Sequence, residues 1–207
     1  YAGIHSRFKR YTMIPWSTYV RNLALVHQFS HVQGCVVECG VWRGGMSAGI
    51  ASILGSHREY HLFDSFEGLP PAKEIDGKTA VEWQANKAGE SYYNNCQAEQ
   101  HEAAAAMDLS KARQYTLHKG WFEQTIPPWG GNAPGIAILR LDCDWYESMK
   151  ICLGELMPRV APGGIIIVDD YYAWDGCAKA VHEYLSGSSK PLRMRQFLNG
   201  PFYLVNE

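Results

Sequence analysis

Five short apolar runs, each closing on a polar or acidic residue and each parted from the next by helix-patterned sequence, constrain this chain more than any other feature. They are Cys35–Cys39, Tyr60–Phe63, Gln114–Leu117, Ile136–Leu141 and Gly164–Val168. Strands that alternate with helical segments predict an α/β fold built on a parallel sheet with crossover helices. Ser17 is placed to cap a helix whose apolar positions Val20, Leu23, Val26 and Phe29 recur every three residues. A further helix is predicted from about Ser47 to Leu54, behind a glycine turn. Leu192–Phe197 and Phe202–Val205 flank Leu198-Asn199-Gly200-Pro201, which predicts an antiparallel hairpin at the end of the sheet.

A chain of 207 residues, 46% apolar, suits a single domain over 1–207, with an N-terminal helical segment at 1–33. Between the second and third runs lie far more residues than a crossover needs. The stretch at about 67–112 therefore reads as an insertion over the site, or equally as a surface elaboration or oligomer contact, since its aromatics Trp83, Tyr92 and Tyr93 suit either. With 19 Lys and Arg against 21 Asp and Glu, no basic surface for nucleic acid is expected. Apolar runs of about five residues fall far short of the roughly 20 that cross a bilayer. No charged-then-apolar leader opens these residues, a start at Tyr1-Ala2-Gly3 without Met leaves an upstream signal open, and a cytoplasmic protein is expected from the cysteines. The six cysteines include no C-x-x-C pair, and Cys35 and Cys39 stand too far apart along a strand to bridge. They read as small buried hydrophobes in a reducing compartment. A symmetric homodimer is the general expectation.

The first run ends Glu38-Cys39-Gly40 and continues to Gly44-Gly45 before a helix, allowing a tight turn and close backbone approach to a ligand. The spacing is not G-x-G-x-x-G, which counts against a dinucleotide and an NAD-dependent oxidoreductase. Asp64 closes the second run about twenty residues on, where a carboxylate can accept from both hydroxyls of a ribose. No G-K-[ST] follows, so a nucleoside without a triphosphate fits, and S-adenosylmethionine answers that description.

The fourth run leads into Asp142-Cys143-Asp144 and the fifth into Asp169-Asp170, four carboxylates at the carboxyl ends of two strands. Like charges so placed are costly unless a cation or proton neutralises them, and a hard, oxygen-preferring ion such as Mg2+ would do so. The alternative is that some cap following helices, as Asp142 or Asp144 could for the helix from Tyr146.

Several strings together resemble the macrocin O-methyltransferase (TylF) family: Glu38-x-Gly40-Val41-Trp42-Arg43-Gly44-Gly45, Asp64-Ser65-Phe66-Glu67-Gly68-Leu69-Pro70, Lys119-Gly120-Trp121-Phe122, Leu139-Arg140-Leu141-Asp142-x-Asp144-x-Tyr146-Glu147-Ser148 and Pro162-Gly163-Gly164-x-x-x-Val168-Asp169-Asp170-Tyr171. The resemblance implies a class I methyltransferase: a Rossmann-like three-layer fold with a mostly parallel seven-stranded sheet and an antiparallel C-terminal hairpin. It implies an enzyme that uses S-adenosylmethionine and a divalent metal, usually Mg2+, to methylate a hydroxylated small molecule, a sugar or glycosylated natural product. Glu38, Gly40 and Ser47 would line the methionine side of the cofactor, Asp64 would hold the ribose, and Ser65, Gly120, Trp121 and Phe122 would border the adenine. Asp142, Asp169 and Asp170 match the metal ligands, with Asp142 also the expected base. Cys143 stands where the family carries glycine, and the segment after Pro70 matches poorly.

Methyl transfer is an in-line displacement at a sulfonium methyl, so the acceptor oxygen must be aligned and made nucleophilic. A metal lowers the pKa of a bound hydroxyl, and a nearby carboxylate can take its proton. His182 and His118 are competing base candidates. Two other functions fit the same residues: a metal-independent methyltransferase in which the acids cap helices and His182 is the base, and a non-catalytic nucleoside-binding module.

Overall fold

The computed structural model describes residues 1–130 and 134–207. Seven strands form one sheet in the order β3-β2-β1-β4-β5-β7-β6. These are β1 (Cys35–Cys39), β2 (Glu59–Asp64), β3 (Gln114–Lys119), β4 (Ile136–Leu141), β5 (Val160–Val168), β6 (Arg195–Gln196) and β7 (Phe202–Val205). β1 to β5 run parallel; β7 is antiparallel to β5 and to β6. The Rossmann-like fold with a terminal hairpin is thus the observed one, although β6 is two residues long rather than the six of Leu192–Phe197.

Every residue of β1 and β4 is buried, as central strands covered on both faces must be. One face packs under α1 (Ala2–Phe8), α2 (Trp16–Gln28), α3 (Gly45–Leu54) and α5 (Gln100–Ser110), around Tyr19, Leu23, Val36, Ile138 and Met107. The other packs under α6 (Phe122–Trp129), α7 (Tyr146–Leu156) and α8 (Asp175–Gly187), around Val37, Phe63, Leu139, Met149 and Val181. α4 (Lys78–Ala85) lies in the segment between β2 and β3. Within that segment α5 is the crossover helix, its Ala103, Ala106 and Met107 buried in the core, while the residues before it stand over the carboxyl ends of the strands.

Ser17 does not cap α2. The helix begins two residues earlier than that, with Pro15 at its N-cap and the Tyr19 N–H donating to the Pro15 carbonyl at 2.9 Å. Proline's fixed φ suits a helix start, which leaves Ser17 exposed inside the first turn. Five of the six cysteines are buried and Cys96 is half-buried; all six are free thiols. Among the described residues no helix is long and apolar enough to cross a membrane.

Candidate active site

The strand order reverses between β1 and β4, the position at which open α/β sheets bind ligands beyond their carboxyl ends. A cleft of about 1010 Å³ opens there. On its β1 side, Gly40 has φ +82°, and a Cβ would stand 1.8 Å from the Asp142 carbonyl oxygen. The chain can turn past β4 only without a side chain at this position.

Asp64 organises the turn that follows. Its Oδ2 accepts the Val41 and Trp42 N–H groups, each at 2.8 Å, and its Oδ1 accepts the Phe66 N–H at 2.7 Å. A carboxylate has about four acceptor sites, so little more than one is left for a ligand hydroxyl. Burial pushes this carboxyl above its ordinary range, against the three N–H donors. Ser65 is tied into the next turn, donating to the Gly68 carbonyl at 3.1 Å and accepting the Glu67 N–H at 3.0 Å. The Gly120 N–H donates to the Asp64 carbonyl at 3.0 Å, and Gly120, Trp121 and Phe122 close this end of the cleft.

Arg140 occupies the middle. It pairs in register with Glu38 across β4 and β1, so both side chains lie on one face of the sheet. Its Nη1 donates to Glu38 Oε1 at 2.6 Å and to Asp142 Oδ2 at 2.8 Å, and its Nη2 stands 2.7 Å from Asp169 Oδ1 without hydrogen-bond alignment. Burial alone would favour the neutral guanidine; the three carboxylates hold it charged. Glu38 is pushed up to about 7 by burial, opposed by Arg140 and by the Ser47 hydroxyl that donates to its Oε2. Ser47 thus sits behind Glu38, not in the cleft wall.

Asp142, Asp144 and Asp170 each bring an oxygen within 4.8 Å of the other two. Burial, then mutual repulsion, pushes Asp144 and Asp170 well above the ordinary carboxylate range. Asp170 Oδ2 accepts the Asp144 N–H at 3.1 Å, and Asp144 Oδ1 accepts Trp174 Nε1–H at 3.0 Å. Asp169 faces Arg140 and, pushed up to about 6 by burial against that guanidinium, lies outside the trio. Neither Asp142 nor Asp144 caps α7. Asp76, from the segment after Pro70, reaches across and accepts the Tyr146 N–H at 2.7 Å.

Both histidines lie away from this chemistry. His182 is exposed on α8 with Nε2 2.8 Å from the Tyr171 hydroxyl. His118 is stacked on Phe63, ring centroids 4.1 Å apart, beside His61. Sequence reasoning missed Arg140 and Asp76, and the ligand set that the family resemblance implies left Asp144 out. A single arginine inside the apolar run Ile136–Leu141 was the available signal for the first; a cap donated from 70 residues away leaves none.

The profile of the family described as Macrocin-O-methyltransferase (TylF) matches residues 11–194. A Streptomyces olivaceus protein, 8-demethyl-8-(2,3-dimethoxy-alpha-L-rhamnosyl)-tetracenomycin-C 4'-O-methyltransferase, is 36% identical over 179 residues, 78% of this chain and 62% of that protein. Demethyldecarbamoylnovobiocin O-methyltransferase of Streptomyces niveus is 37% identical over 161 residues, 75% of this chain and 59% of its own length. The chain therefore spans about three fifths of the curated relatives it matches. Among solved structures, the O-methyltransferase NovP superposes with a TM-score of 0.76 at 27% identity, covering 95% of this chain and 82% of that one. The calicheamicin methyltransferase CalS11 shares the fold, with a TM-score of 0.64 at 20% identity over 98% of this chain and 91% of its own.

Proposed function

The chain belongs to the macrocin-O-methyltransferase (TylF) family, and from that premise we propose that it transfers a methyl group from S-adenosylmethionine to a hydroxyl of a glycosylated small molecule. The observation that carries this reading is the union, in one cleft, of a glycine turn anchored by Asp64 and a carboxylate trio on the adjacent strands. The relatives' names point the same way, since that of the S. olivaceus protein specifies a rhamnosyl-bearing acceptor.

S-adenosylmethionine supplies an electrophilic methyl on a sulfonium centre. Gly40 lets the backbone approach it, Asp64 offers its remaining acceptor site to the ribose, and Trp121 and Phe122 flank the adenine. Glu38 lies under the methionine side and supplies negative charge to the sulfonium, positioned by Ser47 and Arg140. These residues bind and orient; alignment of the acceptor oxygen with the methyl carbon supplies much of the rate.

The trio fits a hard divalent cation: three oxygen donors within reach of one another, two of them held well above the ordinary carboxylate range until positive charge arrives. Mg2+ held by Asp142, Asp144 and Asp170 would polarise the acceptor hydroxyl and lower its pKa. Asp169 instead keeps Arg140 in place. With Oδ2 of Asp142 engaged by Arg140, its Oδ1 would have to serve the cation and the hydroxyl proton in turn. His182, outside the cleft, has no part in this scheme.

Calorimetry with S-adenosylmethionine tests the reading directly. Binding at micromolar concentration is expected, and no heat of binding at millimolar cofactor would end it.

A further inference from the structure

Trp174 bonds to both strand ends that carry the carboxylate trio. Its backbone N–H donates to the Asp170 carbonyl at 3.1 Å, and its indole Nε1–H donates to Asp144 Oδ1 at 3.0 Å. Asp144 lies beyond the end of β4 and Asp170 beyond the end of β5, so a single residue, the N-cap of α8, joins the two. The Asp144 N–H completes the link by donating to Asp170 Oδ2 at 3.1 Å.

Asp144 needs such support. Its φ is +53°, a left-handed conformation that a residue with a side chain enters at a cost and keeps only where its surroundings over-determine it. The tight turn in which the Trp145 N–H donates to the Cys143 carbonyl at 2.6 Å fixes the backbone here, but it leaves the Asp144 carboxylate free to change rotamer. Among the described residues, Trp174 supplies the only hydrogen bond to that carboxylate.

The indole is itself held. The Trp145 ring lies 5.3 Å away, centroid to centroid, at an interplanar angle of 68°, and the Trp83 ring of α4 lies 5.9 Å away at 59°. Trp145 is anchored in turn by its own Nε1–H, which donates to the Pro70 carbonyl at 2.9 Å. An indole packed between two others has little freedom to swing its N–H away from Asp144.

The kind of donor matters as much as its place. Asp142 and Asp169 are met by the Arg140 guanidinium, which brings positive charge of its own. An indole N–H is a neutral donor with no acceptor function, so it aims a carboxylate and leaves the whole negative charge for a cation. Hydrogen bonds that orient metal-ligating groups in this way are worth about 10–100-fold in metal affinity.

We propose that Trp174 is a positioning residue for the divalent cation: its indole N–H fixes the Asp144 carboxylate, and its backbone N–H ties Asp144 to the strand end that carries Asp170. The proposal rests on the cation reading above and makes a separate claim about what sets the cation's affinity.

Mn2+ binding, followed by electron paramagnetic resonance, compares the unaltered protein with Trp174→Phe, which keeps an aromatic ring and loses the N–H, and with Trp83→Phe, which trims the same cluster and touches no carboxylate. Trp174→Phe should weaken Mn2+ binding at least tenfold with its far-ultraviolet circular dichroism unchanged, and Trp83→Phe should change it less than threefold. In the unaltered protein, the Trp174 indole resonance in a proton–nitrogen correlation spectrum should shift as Mg2+ is added, because the oxygen it bonds meets a new charge. That readout holds whether or not Trp174→Phe folds. A smaller loss in Trp174→Phe, an equal loss in Trp83→Phe, or an indole resonance that ignores Mg2+ would each overturn the proposal. An unaltered protein that binds no Mn2+ would instead remove the cation reading, and this proposal with it.

Discussion

Arg140 Nη1 lies 2.6 Å from Glu38 Oε1, a fully buried ion pair between neighbouring strands at the floor of the cleft. The same nitrogen holds Asp142, and the other terminal nitrogen stands beside Asp169. Removing one member of a buried charge network leaves the rest uncompensated, at about 3–5 kcal/mol. Arg140→Met should lose that much stability in urea unfolding, because its partners Glu38, fully buried, and Asp169, largely shielded from solvent, are carboxylates that would have to take up protons. Glu38→Gln should cost less, since Arg140 keeps two partners. A loss below about 1 kcal/mol for Arg140→Met would show that the network is not what holds these strand ends together.

Gly40 is the position at which backbone geometry is least forgiving. An alanine Cβ would stand 1.8 Å from the Asp142 carbonyl oxygen, at φ +82°. Both the clash and the left-handed strain act on the turn that leads to Val41 and Trp42, whose N–H groups Asp64 holds. Gly40→Ala should destabilise the fold by more than about 2 kcal/mol and weaken S-adenosylmethionine binding at least tenfold. An alanine variant that binds cofactor normally would mean that β1 and β4 can separate there at little cost.

The His61–His118 pair predicts the acid limb of stability. Trp129 Nε1–H donates to His61 Nδ1 at 3.2 Å, and His118 Nε2 lies 3.1 Å from the same nitrogen. That nitrogen is therefore an acceptor, and both rings are neutral in the folded state. Burial lowers both groups, His118 to about 4, while Glu59 pulls His61 the other way. Since the folded pKa lies below the ordinary value near 6.5, the unfolded chain binds more protons between these limits. Stability is therefore fully present above about pH 6.5 and is lost as pH falls toward 4. His118→Leu should flatten the slope of unfolding free energy over this window by up to about 1.4 kcal/mol per pH unit, less for partial exposure. An unchanged slope would place the titrating groups elsewhere.

What the sequence showed and hid follows from range. The parallel strands and the glycine turn are written in local patterns, whereas the reversal that takes β4 from β3 at the sheet's edge to the far side of β1 is not. The helix cap at Tyr146 was not legible, because Asp76 reaches it from a distant loop. Nor could adjacent Asp169 and Asp170 be told apart. They share one strand end, and only the position of Arg140 on the neighbouring strand sends one carboxylate toward the guanidinium and the other toward Asp144.

That separation can be tested without any turnover. If the cation is held by Asp142, Asp144 and Asp170, then Asp170→Asn removes a direct donor and should weaken Mn2+ binding, followed by electron paramagnetic resonance, at least tenfold. Asp169→Asn leaves all three donors in place and removes a charge from beside Arg140. Its main effect should be on stability, about 1–3 kcal/mol in urea unfolding, with Mn2+ affinity changed less than threefold. The comparison also bears on catalysis without metal. A protein whose four carboxylates served only to hold Arg140 and receive Trp174 would bind Mn2+ weakly before any substitution, and would keep its methyl transfer in excess chelator. Equal losses of Mn2+ affinity in Asp169→Asn and Asp170→Asn would bring Asp169 into the ligand set and require Arg140 to release it when the cation binds.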